Sequence, residues 1–228
     1  LALIRGGPSV WAYAHKLFDA LLGEDPLRLV GTDRRPVSFP LDGVQLLSPL
    51  LHPTSIRDFY AFERHVKTAN ANRGCEVPPE WYELPVFYFT NPHAIFGTEQ
   101  GIPCPRDTQA LDYELEIACV ISRAGSDISP QEAEEYIFGY MILNDWSARD
   151  IQRKEMRVGL GPAKGKDFAT SLGPCLVTPD ELEDRKTGRP GVYDLEMVAF
   201  VNGVERSRGN LKEIYYSFGD LIDRASAD

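Results

Sequence analysis

The sequence predicts an α+β domain built around a mixed β-sheet. Three observations carry that expectation. Short runs such as PVFYFTNP, DYELEIACVIS, YMILND and TSLGPCLVTP are rich in β-branched and aromatic residues and are punctuated by Pro, Gly or Asn. Helical spacing of apolar residues occurs in only a few segments between them. The two kinds do not alternate regularly as βαβ units would, and GLGPAKGK lacks the spacing of a phosphate loop.

Taken in order, residues 8–22 carry apolar side chains at helical spacing, including Val10, Leu17 and Leu21. The proline-broken stretch that follows reads as short strands and turns, so residues 1–50 form a small N-terminal region ahead of a main body at 51–228. Residues 55–73 read as a helix with Ser55 as N-cap and Asp58 in its first turn. PVFYFTNP is a strand ended by Asn91-Pro92, and DYELEIACVIS is the next. A helix capped at Ser129, with Pro130 at its first position, leads to a buried strand starting at Gly139. TSLGPCLVTP is a further strand, and DLEMVAFVNGVERSR is a hairpin turned at Asn202-Gly203.

The chain has 228 residues and a net charge of −10, from 24 basic and 34 acidic side chains. That balance argues against a nucleic-acid partner, since phosphate-backbone binders concentrate positive charge. The four cysteines form no CxxC pair, and Cys119 and Cys175 lie in apolar runs that suit buried small hydrophobes. Neither a signal-peptide pattern nor an apolar stretch of membrane-spanning length occurs, so the expectation is a cytoplasmic protein with no membrane association.

Four stretches could carry chemistry. In LDYELEIACVI, Asp112, Glu114 and Glu116 share one face of an extended chain. One reading is a solvated strand face. The other is a cation site, because adjacent carboxylates repel and a hard divalent ion takes several carboxylate oxygens. In ILNDWSARDIQ, Asp145 stands at the carboxyl end of a buried strand, as a presented functional group or an N-cap for the next segment. Arg149 and Gln152, three apart, face one way on a helix and could grip a carboxylate or form an exposed polar face. In GPAKGKDFATSLGP, Lys166 either projects into a site or belongs to a surface turn. In RDFYAFERHVK, Asp58, Phe62 and His65 fall on one helical face, with His65 a general base or a half-exposed histidine.

The strings RDFYAFERHV, DYELEIACVI, GYMILNDWSARDIQ and LGPAKGKDFATSLGP occur in that order, and over residues 55–225 the chain resembles the fumarylacetoacetate hydrolase family. The resemblance implies a mixed β-roll α+β core, a divalent metal (Mg²⁺ first, Mn²⁺ or Ca²⁺ next), a homodimer and a small oxo-acid substrate. By position it implies Glu114, Glu116 and Asp145 as metal ligands, with Asp58 as a further acidic ligand. It also implies Tyr60, Arg149, Gln152 and Thr170 as substrate contacts, His65 as general base and Lys166 beside the metal. The implied reaction is hydrolysis of a C–C bond in a 1,3-dicarbonyl or oxo-acid. Isomerisation, decarboxylation or hydration of related oxo-acids is the alternative, and a metal-stabilised binding protein is the reading from another class.

Two departures stand out. Met156 replaces a tyrosine of the fumarylacetoacetase branch, and Thr68, three residues after His65, replaces the glutamate of another branch's His-x-x-Glu dyad. The resemblance also implies that the acidic partner of the histidine and a substrate-contacting threonine lie beyond Asp228.

Overall fold

A computed structural model describes residues 2–25 and 28–228. Its centre is a four-stranded sheet in the order β3 (Ile95–Phe96), β8 (Thr170–Leu172), β6 (Ile137–Asp145), β5 (Glu116–Ile121). The β3–β8 pair is parallel and the other two are antiparallel, so the sheet is mixed, as the irregular order of elements predicts. Three two-stranded ribbons surround it. They are β1 (Ile56–Phe59) with β2 (Phe87–Thr90), β4 (Leu111–Asp112) with β7 (Ser147–Ala148), and β9 (Glu196–Val201) with β10 (Val204–Asn210). The hairpin turns at Asn202 and Gly203, both at positive φ (51° and 77°), as a two-residue turn of this hand requires.

Two apolar clusters hold the elements together. One joins Ile137, Tyr140, Val192, Tyr193 and Leu211 to helix α5 (Phe218–Ser226), whose start carries a Ser217–Asp220 capping box. The other joins Val120, Phe138, Met141, Leu143 and Leu172 to Ile4 of the short helix α1 (Ala2–Arg5) and to Leu50.

Helix α2 (Gly7–Leu21) forms where the periodicity predicts it. Trp11 packs edge-on against Phe138 (centroids 5.1 Å apart), but Val10, Tyr13, Leu17 and Phe18 remain exposed. The stretch after it holds an isolated Val30–Pro36 bridge and a 3₁₀ turn at Leu41–Gly43 rather than strands. Pro26 and Leu27, part of that expected strand-and-turn stretch, lie outside the described residues.

Three further expectations are corrected. Residues 56–59 are strand, and helix α3 covers only Glu63–Ala71, so Asp58, Phe62 and His65 do not share a helical face and Ser55 caps nothing. Antiparallel pairing with β2 and stacking of Arg57 over Phe87 and Phe89 (5.7 and 5.2 Å) outweigh local helix preference there. After Ser129 only a 3₁₀ turn forms (Ala133–Tyr136), and β6 begins at Ile137. Gly139 lies inside that strand because Val177 crosses it: a Cβ there would meet Val177 O at 2.4 Å. Cys175 is exposed rather than buried.

Candidate metal centre and active site

LDYELEIACVI is two strands, not one. Residues 113–115 leave regular geometry between β4 and β5, while Asn144 Oδ1 accepts from the Glu114 backbone N–H at 3.0 Å. The pairs Asp112–Ser147 and Glu116–Leu143 nevertheless share one register, which sets Glu114 opposite Asp145. Alternation along the chain is thereby preserved, and the acids at 112, 114 and 116 all turn toward one charged network.

That network is assembled from four parts of the chain. Asp58 enters from β1, Glu114 and Glu116 from the kinked strand, Asp145 from the end of β6, and Lys166 from the loop after helix α4 (Arg149–Val158). Asp58, Glu114 and Glu116 each offer an oxygen lying within 4.8 Å of the others. Lys166, 4% exposed, donates to Glu114 Oε2 at 2.5 Å and to Asp145 Oδ2 at 2.8 Å. Asp145, fully buried, also accepts from the Tyr88 hydroxyl at Oδ2, and its Oδ1 has no protein partner. It is therefore neither exposed nor an N-cap.

Helix α4 presents Arg149 and Gln152 on one face, with Arg149 Nη1 3.3 Å from Gln152 Oε1. Arg149 is not free: it donates to Asp112 Oδ2 at 2.8 Å and to Glu114 Oε1 at 2.7 Å. The start of α4 is anchored by Asp150, which accepts from Gln109 N and Thr108 Oγ1 at 2.8 and 2.6 Å. The lysine loop is drawn onto the helix by Glu155, which accepts from the backbone N–H groups of Ala163, Lys164 and Gly165. Gly165 is needed for that approach, since a Cβ would sit 2.7 Å from the Gln152 nitrogen.

The electrostatics divide the acids into two groups. Burial pushes Glu114 up, but the Lys166 and Arg149 charges outweigh it and hold its pKa below the usual carboxylate range. Asp58 is pushed up to about 7 by burial and by Asp145 and Glu114. Glu116 is raised well above the usual value by burial, then by Asp58 and Glu114. Asp145 is raised by burial, with Lys166 opposing. Five acids, Asp58, Asp112, Glu114, Glu116 and Asp145, face two cations, Lys166 and Arg149, so negative charge is in surplus on the Asp58–Glu116 side. Hard oxygen donors and an unpartnered buried Asp145 Oδ1 suit a divalent ion.

The remaining expected residues lie around this cluster. His65, on α3, stacks edge-on against Tyr60 (centroids 5.3 Å). Burial lowers its pKa, Glu114 opposing, which keeps the ring neutral at pH 7. Thr170 is 2% exposed and paired with Asp145 across β6 and β8. Tyr88 was not singled out in the sequence; its place opposite Asp58 exists only through the β1–β2 pairing.

Fold and site together define a mixed-sheet α+β protein with a carboxylate-rich candidate cation centre. The family model described as Fumarylacetoacetate (FAA) hydrolase C-terminal matches residues 54–228, and the chain belongs to that family. It is 32% identical to the fumarylacetoacetase of Oryza sativa subsp. japonica, over 92% of this chain and 59% of that protein. It is 27% identical to the oxaloacetate tautomerase YisK of Bacillus subtilis, over 82% of this chain and 58% of the relative. Among solved structures, the 5-carboxymethyl-2-hydroxymuconate delta-isomerase of Mycobacterium smegmatis superposes with a TM-score of 0.64 at 32% identity, covering 90% of this chain and 70% of that one. The chain thus spans little more than half the length of the curated relatives it matches. No helix among the described residues is long and apolar enough to cross a membrane.

Proposed function

We propose that the chain is the catalytic part of a divalent-metal-dependent hydrolase that cleaves a C–C bond in a small 1,3-dicarbonyl or oxo-acid substrate. The observation carrying this reading is the convergence of Asp58, Glu114 and Glu116 beside the Lys166–Asp145 pair. Asp58, Glu114, Glu116 and Asp145 would hold the ion, with Mg²⁺ the first candidate and Mn²⁺ or Ca²⁺ the others. Bound there, a divalent cation supplies Lewis-acid polarisation of a carbonyl oxygen.

The protein's own groups account for the rest. His65, neutral at pH 7, takes a proton from the attacking water. Lys166, fixed between two carboxylates, offers its remaining N–H to negative charge developing on the leaving enolate oxygen. Gln152, with Arg149 held beside it by Asp112 and Glu114 and shared with them, orients the substrate's carboxylate end, and Tyr60 stacks beside His65 to contact the substrate. Thr170, beside Asp145 on the neighbouring strand, completes the substrate contacts. A homodimer is part of the same proposal.

Tautomerase or isomerase chemistry is the second reading, favoured by the tautomerase and isomerase relatives and compatible with Met156 and Thr68, the two departures from the branch patterns. It uses the same enolate stabilisation but returns a proton to carbon. The deciding experiment incubates the metal-loaded protein with acylpyruvates and with unsaturated oxo-diacids and follows products by NMR. Two shorter acids support hydrolysis, an isomer supports the second reading, and no turnover of either class overturns both in favour of a binding protein.

A further inference from the structure

We infer that Tyr88 is a positioning residue for Asp145, fixing which of its two oxygens faces a bound divalent ion; this rests on the cation-centre reading above. The two oxygens of Asp145 have different surroundings. Oδ2 accepts from Lys166 Nζ at 2.8 Å and from the Tyr88 hydroxyl. Oδ1 is buried and no protein group donates to it. Turning the carboxylate about Cβ–Cγ would break both bonds to Oδ2 at once, so Oδ1 is the oxygen left to coordinate.

Lys166 cannot enforce this alone. Its ammonium is shared with Glu114 Oε2 at 2.5 Å, so its direction answers to two carboxylates and not to Asp145 alone. The phenol comes from a different element. It stands on β2 as the register partner of Asp58, itself one of the clustered acids, and its ring lies 6.0 Å from Lys166 Nζ. A phenol hydroxyl is a neutral hydrogen-bond donor at pH 7. A hydrogen bond to the non-coordinating oxygen is how outer groups hold a metal-binding carboxylate in place.

The test is Tyr88→Phe, which keeps the ring and removes only the donor. Mn²⁺ affinity by titration calorimetry should fall about 10–100-fold, and the Mn²⁺ electron paramagnetic resonance spectrum should broaden or change its splitting. A packing role would lower the melting temperature of the metal-free protein while leaving the affinity and spectrum of the folded fraction unchanged, and that result overturns the inference. If the wild type binds no Mn²⁺, the cation-centre reading has failed instead. Should Tyr88→Phe not fold, a Mn²⁺-soaked wild-type crystal decides. The ion on one Asp145 oxygen with the other still bonded to Tyr88 supports the inference; the ion on the oxygen nearest the phenol, with no bond to Tyr88, contradicts it.

Discussion

The acidic cluster has two halves, both buried, of which only one has cations to answer the burial. Glu114 sits between Lys166 and Arg149, and its pKa is held down. Glu116, two residues along the same chain, meets Asp58 instead, and both are raised. One half is a finished ion-pair network; the other carries charge that the protein does not neutralise. The difference teaches where a cation would go: toward the Asp58–Glu116 side, with Glu114 shared between the two.

The comparison breaks most easily by removing one acid. Glu116→Ala should abolish divalent-metal binding, weakening Mg²⁺ or Mn²⁺ affinity on the order of 100-fold or more by calorimetry. Retention of wild-type affinity would place the ion elsewhere. On the compensated side, Lys166→Met leaves Glu114 and Asp145 buried against each other. Denaturant unfolding should show a loss of about 3–5 kcal/mol, as when one partner of a buried pair is removed. Glu116→Gln should do the opposite in metal-free protein at pH 8 and raise the melting temperature, because it removes an unanswered charge.

The same contrast fixes a pH dependence. Asp58, Glu116 and Asp145 bind protons more tightly folded than unfolded, so the stability they contribute is fully present below the ordinary carboxylate range, about pH 4, and is lost as pH rises through their raised values, about 7 for Asp58. Glu114 is shifted the other way and its contribution is complete above the ordinary glutamate pKa. Metal-free protein should therefore melt at lower temperature at pH 8 than at pH 5, and saturating Mg²⁺ should reverse that order. A metal-free melting temperature that climbs from pH 5 to pH 8 would mean the cluster is compensated by some other group.

Smaller effects sharpen the frame around the site. Gly165→Ala should cost about 1–3 kcal/mol in denaturant unfolding, since its Cβ meets the Gln152 backbone and pushes the lysine loop off α4. Lys164→Ala, which loses only the exposed 2.9 Å pair with Asp167, should change stability by less than about 0.5 kcal/mol.

Much of this arrangement was legible in the chain itself. Alternation of acids at 112, 114 and 116 and the strand ending at Asp145 carry over into the structure because a shared register preserves which side each faces. The Asn202-Gly203 hairpin is legible because only a few residues tolerate its backbone angles. Asp58 was misplaced on a helix because its strand exists only through pairing with residues 87–90, contacts that no local pattern displays. Tyr88 was missed for the same reason: its partner Asp145 is 57 residues away. Arg149 read as a free carboxylate grip, yet the structure spends it on Asp112 and Glu114, a pairing visible only once the strand and α4 meet.

The most direct test of the central claim is anomalous diffraction from a crystal soaked in Mn²⁺. The account predicts one strong peak bounded by the carboxylates of Asp58, Glu114 and Glu116, with Asp145 Oδ1 turned toward it. A cluster that stays metal-free at saturating Mn²⁺, or a peak held by other residues, would contradict it.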